Sequence, residues 1–488
     1  MACANDRGCL STWQTCGMVG GVITPLGPPA SRLPWFARPA ARAWTCAPAP
    51  VDVRVFHAGL PGYAPTPLIE VPVLAALLGV GQVFVKDESA RMGLAAFKVL
   101  GASWAVHQVL SRHPAGADLL LMTASDGNHG RAVARMARLF GQRAHVFVPN
   151  GVHPVAIAAI AAEGARVTEV AGTYDDAVRQ AAVAAREPSA ELVQDTAWPG
   201  YEQVPGWIVE GYSTLFAEID RQLGDAGVGG PGLVVIPVGV GSLAQAAITH
   251  YRSRAGRSAP ALLSVEPESA AGVLAGLTRG ELVSVPTDAT IMAGLNCGTP
   301  STLAWPYLRE GLDAALAISD GDAIAAAHEL AGHEIPAGPC GAASLAGAIA
   351  ALTGEGAGAR RAALAIGPDT TVILLSTEGA AANPVPVRPA AVLPAWCGYG
   401  TDPARAVRST LSSDAPEPGM AVTARASRIW PQCEQTGTAV MTCPQAVCLV
   451  CTGGPPGAAH RSPHCRMAIT TCHRSRPLAV SRYSERGG

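Results

Sequence analysis

The chain reads as an α/β protein of two open, mostly parallel twisted sheets flanked by helices. Three observations predict this. Between residues 51 and 385, short apolar runs alternate with alanine-rich amphipathic stretches, the rhythm of strand-then-helix units. Polar, glycine-containing turns repeatedly follow the apolar runs, where parallel sheets place their ligands. The flanks, residues 1–50 and 386–488, lack that rhythm and are rich in Pro, Arg and Cys, so they are expected to be disordered or aberrant extensions.

The elements follow in order. "QVFVKDE" (82–88) reads as a strand and "KVLGASWAVHQVL" (98–110) as a helix. "LLLMTAS" (119–125) is a strand leading into the helical "GNHGRAVARMARLFG" (127–141). "RAHVFVP" (143–149) precedes a helix that Pro154 opens. "RVTEVAG" (166–172) precedes "YDDAVRQAAVAARE" (174–187). "GLVVIPVG" (232–239) precedes "SLAQAAITHYRSR" (242–254), and "ALLSVEP" (261–267) and "TVILLST" (371–377) are further strands. A smaller domain is expected around residues 100–215 of the 51–385 unit.

Composition excludes several classes. The 488 residues carry a formal net charge of -2, which gives no basic face for nucleic acid. Charged residues break the alanine-rich stretches before any reaches the roughly 18 to 20 residues of a membrane helix. Of 13 cysteines, the long middle holds only Cys297 and Cys340, as in a reduced, cytoplasmic protein. In the tail, Cys443, Cys448, Cys451, His464, Cys465, Cys472 and His473 match no standard zinc spacing, so no metal is expected.

Five segments carry possible chemistry. In "SARMGLAAFKVLGAS" (89–103), Lys98 follows Ala-Ala-Phe at the start of an apolar helix. Burial there would lower its pKa and favour the neutral, nucleophilic amine; the plain alternative is a snorkelling helix lysine. "TASDGNHGRAVA" (123–134) is a strand end, turn and helix start. Asp126 is a candidate acid or base and Asn128 a candidate ligand amide, unless both merely form the turn and cap the helix. His129 is more simply a packed turn residue. In "VIPVGVGSLAQA" (235–246), Gly239, Val240, Gly241 and Ser242 present backbone N–H groups and a helix start to an anion such as phosphate; the glycine pattern alone is weak. "LVQDTAWPGYEQVPGWIVEGYSTL" (192–215) places Asp195 near Trp198, Tyr201 and Trp207, where apolar rings would raise a carboxyl pKa, or it is an ordinary aromatic loop. "VILLSTEGA" (372–380) ends a strand in Ser376 and Thr377, whose hydroxyls suit a ring nitrogen, or it is simply the edge of the last strand.

Taken together and in this order, the segments resemble one family. "FHAGLPGYAPTPL" (56–68), "VFVKDES" (83–89), "GLAAFKVLGAS" (93–103), "SDGNHGRAVA" (125–134), "VQDTAWPGYEQVPGWIVEGY" (193–212), "GTPS" (298–301), "GPCGAASLAG" (338–347) and "LLSTEG" (374–379) are similar to fold-type II pyridoxal-phosphate enzymes, specifically diaminopropionate ammonia-lyases. The resemblance covers about 325 residues, from Val55 to Gly379. It implies that Lys98 bonds covalently to pyridoxal phosphate, that Asn128 lies beside its phenolic oxygen, that Gly239–Ser242 cradle its phosphate, and that Ser376 or Thr377 meets the pyridine nitrogen. It implies that Asp126 and Asp195 are the two acid/base carboxylates, serving opposite faces of a D or L substrate. The implied reaction is α,β-elimination of 2,3-diaminopropionate to pyruvate and two ammonia, in a homodimer. A serine or threonine dehydratase is the rival, and an inactive cofactor-binding remnant the rival of another class, because residues 1–50 and those after Gly379 do not resemble the family.

Overall fold

In the computed structural model, residues 33–254 and 259–384 are described, with two short strands further on. The strands are β1 (Trp35–Ala37), β2 (Leu68–Glu70), β3 (Gln82–Asp87), β4 (Leu120–Ala124), β5 (Arg143–Pro149), β6 (Arg166–Val170), β7 (Ala190–Leu192), β8 (Leu233–Pro237), β9 (Ala261–Pro267), β10 (Ala314–Ile318) and β11 (Thr371–Ser376). The helices are α1 (Asp52–Ala58), α2 (Pro72–Leu78), α3 (Val99–Leu110), α4 (Asn128–Leu139), α5 (Pro154–Ala162), α6 (Tyr174–Ala184), α7 (Gln203–Asp225), α8 (Ser242–Arg252), α9 (Gly272–Arg279), α10 (Trp305–Gly311), α11 (Asp320–Gly332), α12 (Pro339–Leu352) and α13 (Ala357–Leu364).

Two sheets form. The larger has the order β1-β10-β9-β8-β11-β3-β2, parallel throughout its interior and antiparallel only at its two edge strands. The smaller, β6-β5-β4-β7, is wholly parallel. The central strands β8, β9 and β10 are buried along their whole length, as parallel strands covered on both faces must be. That explains their reading as unbroken apolar runs.

One boundary differs from expectation. Trp35–Ala37 pair with Ala314–Leu316 on the edge of the larger sheet, and Arg42 reaches Asp313 at 2.8 Å. The folded unit therefore extends upstream of residue 51. Sequence reading missed this because a three-residue edge strand has too few side chains to show a period. In the tail, Thr438–Met441 and Leu449–Thr452 pair antiparallel, where disorder was expected; the tail's Cys and His side chains lie outside the description.

Glycines set the approach of α3 to α7. A Cβ on Gly211 would stand 2.5 Å from the Leu100 carbonyl oxygen, and one on Gly101 would stand 2.6 Å from the Tyr212 ring. Only backbone without side chains fits at that crossing. The "LPGYAPTPL" segment is also structural. Tyr63 donates to Glu218 Oε1 at 2.8 Å, and Thr66 donates to Glu88 Oε1 at 2.6 Å. Lys86 and Arg91 complete the buried cluster through ion pairs to Glu218 and Glu88. Every charge there has a partner, as burial demands.

Candidate active site

A single cleft gathers Lys98, Asp126, Asn128, Asp195, Gly239–Ser242 and Thr377. Its walls come from both sheets: α3 and α4 start on one side, and the ends of β8 and β11 face them, the strand-end placement expected of parallel sheets.

Lys98 immediately precedes α3, with its side chain 19% exposed. It does not snorkel. Its Nζ donates to Asp195 Oδ2 at 2.7 Å. Burial opposes the ammonium, but the Asp195 charge more than offsets it and holds Lys98 above its ordinary value. This corrects the expectation of a neutral amine, which considered burial without its partner.

Asp195 differs from expectation in the same way. Burial works against its ionisation, yet Lys98, helped by a hydrogen bond from Tyr174, holds it well below the usual carboxylate range. The aromatic rings do not raise it; Trp198 and Tyr201 stack on each other, centroids 4.5 Å apart, and Tyr201 donates to the Leu192 carbonyl at 2.7 Å. The raised carboxyl is Asp126 instead, pushed up to about 8 by burial and then by the Asp195 charge, against the pull of Lys98. The two carboxyls thus rest in opposite protonation states at neutral pH.

The hydrogen-bond directions around Asp195 are fixed by a backbone donor. The Ala124 N–H donates to Gln194 Oε1 at 2.8 Å, which assigns that oxygen and leaves Nε2 facing the cleft. Gln194 Nε2 then donates to the Tyr174 hydroxyl at 2.9 Å and to Asp195 Oδ1 at 3.2 Å. Tyr174, already accepting, donates its own proton to Asp195 Oδ1 at 3.2 Å. Sequence reading missed Tyr174 and Gln194. Gln194 adjoins Asp195 in sequence, but only the pairing of β4 with β7 brings it to Ala124. His129 Nε2 donates to the Val193 carbonyl, 2.8 Å away. Because a carbonyl only accepts, Nε2 carries the proton and Nδ1 faces Asp195 Oδ2 at 3.9 Å, buried and unpartnered.

Neither Asp126 nor Asn128 caps α4; Gly127, at φ +144°, takes that position. Ser125 Oγ holds the turn by accepting from Gly127 and Gly130, both at 2.9 Å. Gly130 serves packing rather than turning, since a Cβ there would meet Val146 at 2.6 Å.

Gly239–Ser242 lead into α8, and Gly241, at φ +97°, precedes its first residue. A Cβ on Gly241 would stand 2.7 Å from Leu308, and one on Gly239 would stand 3.1 Å from the Gly294 carbonyl. Ser242 Oγ donates to the Asp195 carbonyl at 2.8 Å. The "GTPS" segment braces this loop: Ser301 N–H donates to the Val240 carbonyl at 2.8 Å, while its Oγ accepts from Ala197 at 3.1 Å. A bare-backbone turn at a helix start, with a lysine and an amide across the cleft, suits pyridoxal phosphate: phosphate at the loop, aldehyde at Lys98. Thr377 lines the cleft, whereas Ser376 Oγ is buried without a partner, close to Gly341.

Comparisons with known proteins agree with this geometry. The family model described as "Pyridoxal-phosphate dependent enzyme" matches residues 60–378. The diaminopropionate ammonia-lyase of Escherichia coli (strain K12) is 35% identical over 347 residues, covering 67% of this chain and 87% of that one. A crystal structure of the Escherichia coli enzyme with an aminoacrylate–pyridoxal-phosphate azomethine intermediate superposes with a TM-score of 0.64 at 32% identity, covering 71% of this chain and 94% of that one. The L-threonine ammonia-lyase of Geobacter sulfurreducens is more distant, 26% identical over 255 residues, covering 52% of this chain and 59% of that one. The chain therefore belongs to the pyridoxal-phosphate dependent enzymes, within the diaminopropionate ammonia-lyase family.

Proposed function

We propose that this chain eliminates the β-amine of 2,3-diaminopropionate and releases aminoacrylate, which takes up water and loses the α-amine, giving pyruvate and two ammonia. The observation that carries the reading is Lys98 at 2.7 Å from Asp195, in the cleft that also holds Asp126 and the Gly239–Ser242 turn. Pyridoxal phosphate, when bound, spreads the charge left by removal of the α-proton. Lys98 bonds the cofactor, Gly239, Val240, Gly241 and Ser242 hold its phosphate, Asn128 its phenolic oxygen, and Thr377 its ring nitrogen.

The protein supplies proton transfer. Asp195, ionised, accepts the α-proton of one isomer directly. Asp126 accepts that of the other isomer once it has ionised. The β-amine leaves only after a proton reaches its nitrogen, and Lys98, once the substrate's own amine has displaced it, is the amine beside Asp195 that can carry that proton. Asp195 keeps its aim because Tyr174 and Gln194 hold Oδ1 while Lys98 holds Oδ2.

Counting products tests the reading. Two ammonia per pyruvate from DL-2,3-diaminopropionate supports it. One ammonia per pyruvate, from serine in preference, would make the chain a dehydratase. No turnover of either by the cofactor-loaded chain would favour a binding remnant. We further place the protein in the cytoplasm as a homodimer. Free Cys46, Cys297 and Cys340 suit a reducing compartment, and light scattering of the purified chain tests the dimer. No described helix is long and apolar enough to cross a membrane.

A further inference from the structure

We infer that Glu378 is a positioning residue that reaches across the cleft to orient Asn128, so that Asn128 meets the cofactor's phenolic oxygen as a hydrogen-bond donor. The inference rests on the placement of Asn128 proposed above. Glu378 follows the end of β11 in the larger sheet, whereas Asn128 opens α4 beside the smaller one. Asn128 Nδ2 donates to Glu378 Oε2 at 2.5 Å, joining residues 250 positions apart in sequence. The other oxygen, Oε1, accepts from the backbone N–H of Cys340 at 3.2 Å, in the first turn of α12. The carboxylate is 2% exposed. Burial pushes its pKa up, and the groups that pull it back are neutral: Cys340, Asn128 and Asn383.

The surrounding sequence keeps room for this side chain. A Cβ on Gly338 would stand 3.0 Å from Glu378 Oε1, and one on Gly341 would stand 2.6 Å from the Glu378 carbonyl oxygen. The first two glycines of "GPCGAASLAG" thus serve the glutamate of "LLSTEG". A buried carboxylate without a cation is costly unless its contacts give something back. Here it fixes the amide: with one Asn128 N–H committed to Glu378, the amide cannot present its oxygen in that direction, and its second N–H stays available in the cleft. A donor at the phenolic oxygen stabilises the oxyanion and weakens its hold on a shared proton.

The test is the pH titration of the visible absorbance of the bound cofactor, with no amino acid present. This reading is independent of whether diaminopropionate is turned over. Glu378→Met keeps the volume and removes both acceptors. It is expected to raise the titration midpoint by about one pH unit, a tenfold change. Asn128→Ala is expected to raise it likewise, and the double variant no further than Asn128→Ala alone, because the pair acts as one unit. A midpoint moved by Asn128→Ala but unmoved by Glu378→Met overturns the inference. A midpoint unmoved by Asn128→Ala overturns the placement beneath it. Should Glu378→Met not fold, Glu378→Asp withdraws the carboxylate by one methylene and is expected to shift the midpoint in the same direction; no shift overturns the inference equally.

Discussion

Replacing Lys98 separates its structural role from its chemical one. Lys98→Met removes the cofactor's anchor and also strips Asp195 of the cation 2.7 Å away. Breaking a buried ion pair from one side costs about 3–5 kcal/mol, because a charge is left behind. Asp195 has one escape, which is to take up a proton. For a carboxyl with an ordinary pKa near 3.9, protonation at pH 7 costs about 4 kcal/mol, which caps the loss. The cofactor-free Lys98→Met protein is therefore expected to be about 3–4 kcal/mol less stable than the parent at pH 7. The deficit has a definite pH dependence. In the variant, the folded state holds a proton on Asp195 that the unfolded state lacks above pH 4, so its stability falls as pH rises. In the parent, Asp195 is ionised when folded, its pKa being depressed, so the pair contributes no such slope between pH 5 and 7. The deficit should shrink by about 1.4 kcal/mol for each pH unit from 7 toward 4. Lys98→Arg keeps the charge and should lose the cofactor absorbance while retaining most of the stability. Denaturant unfolding of the three cofactor-free proteins across pH measures this. Equal stability of the Met and Arg variants, or a deficit that does not change with pH, would refute the electrostatic account of the pair.

Other sites allow sharper single readings. Gly211→Ala drives a Cβ to 2.5 Å from the Leu100 carbonyl and should cost about 1–3 kcal/mol, seen as a lower denaturation midpoint at unchanged slope. Gly241→Ala strains a residue at φ +97° and should weaken cofactor binding about tenfold in an absorbance titration, a cost of the order of 1–3 kcal/mol; unchanged affinity would remove that turn from the phosphate site. Tyr174→Phe deletes a donor to Asp195, so kcat for the isomer that Asp195 serves should fall about tenfold, the worth of one hydrogen bond to a charged group, and an unchanged kcat would leave Tyr174 only a packing role. Asp126→Asn and Asp195→Asn should affect the D and L isomers unequally. The isomer that loses more to Asp126→Asn should also be the one whose turnover by the parent rises as pH passes about 8, where Asp126 ionises; equal losses on both isomers would sink the two-face assignment.

The sequence made the strand ends legible because the chemistry of this fold sits where apolar runs stop. Lys98, Asp126, Asn128 and Asp195 were each visible as a polar residue at such a boundary, and the cleft does bring them together. Their protonation states were not legible. A local window shows burial but not the partner, and burial alone assigns the wrong sign to both Lys98 and Asp195. The partner of Lys98 is 97 residues away, and only the larger charge environment turns Asp126, rather than Asp195, into the neutral carboxyl. The same limit hid Gln194 and Glu378, whose roles depend on contacts with Ala124 and Asn128 across the fold. Long-range hydrogen bonds leave no period in the sequence, but they leave glycines. Gly101, Gly211, Gly338 and Gly341 each stand where a Cβ would strike a neighbouring backbone or side chain, so a glycine inside or at the start of a helical stretch was the available sign of a close approach. The three-residue strand at Trp35 had no such sign, because its partner, Ala314–Leu316, lies about 280 residues further along the chain.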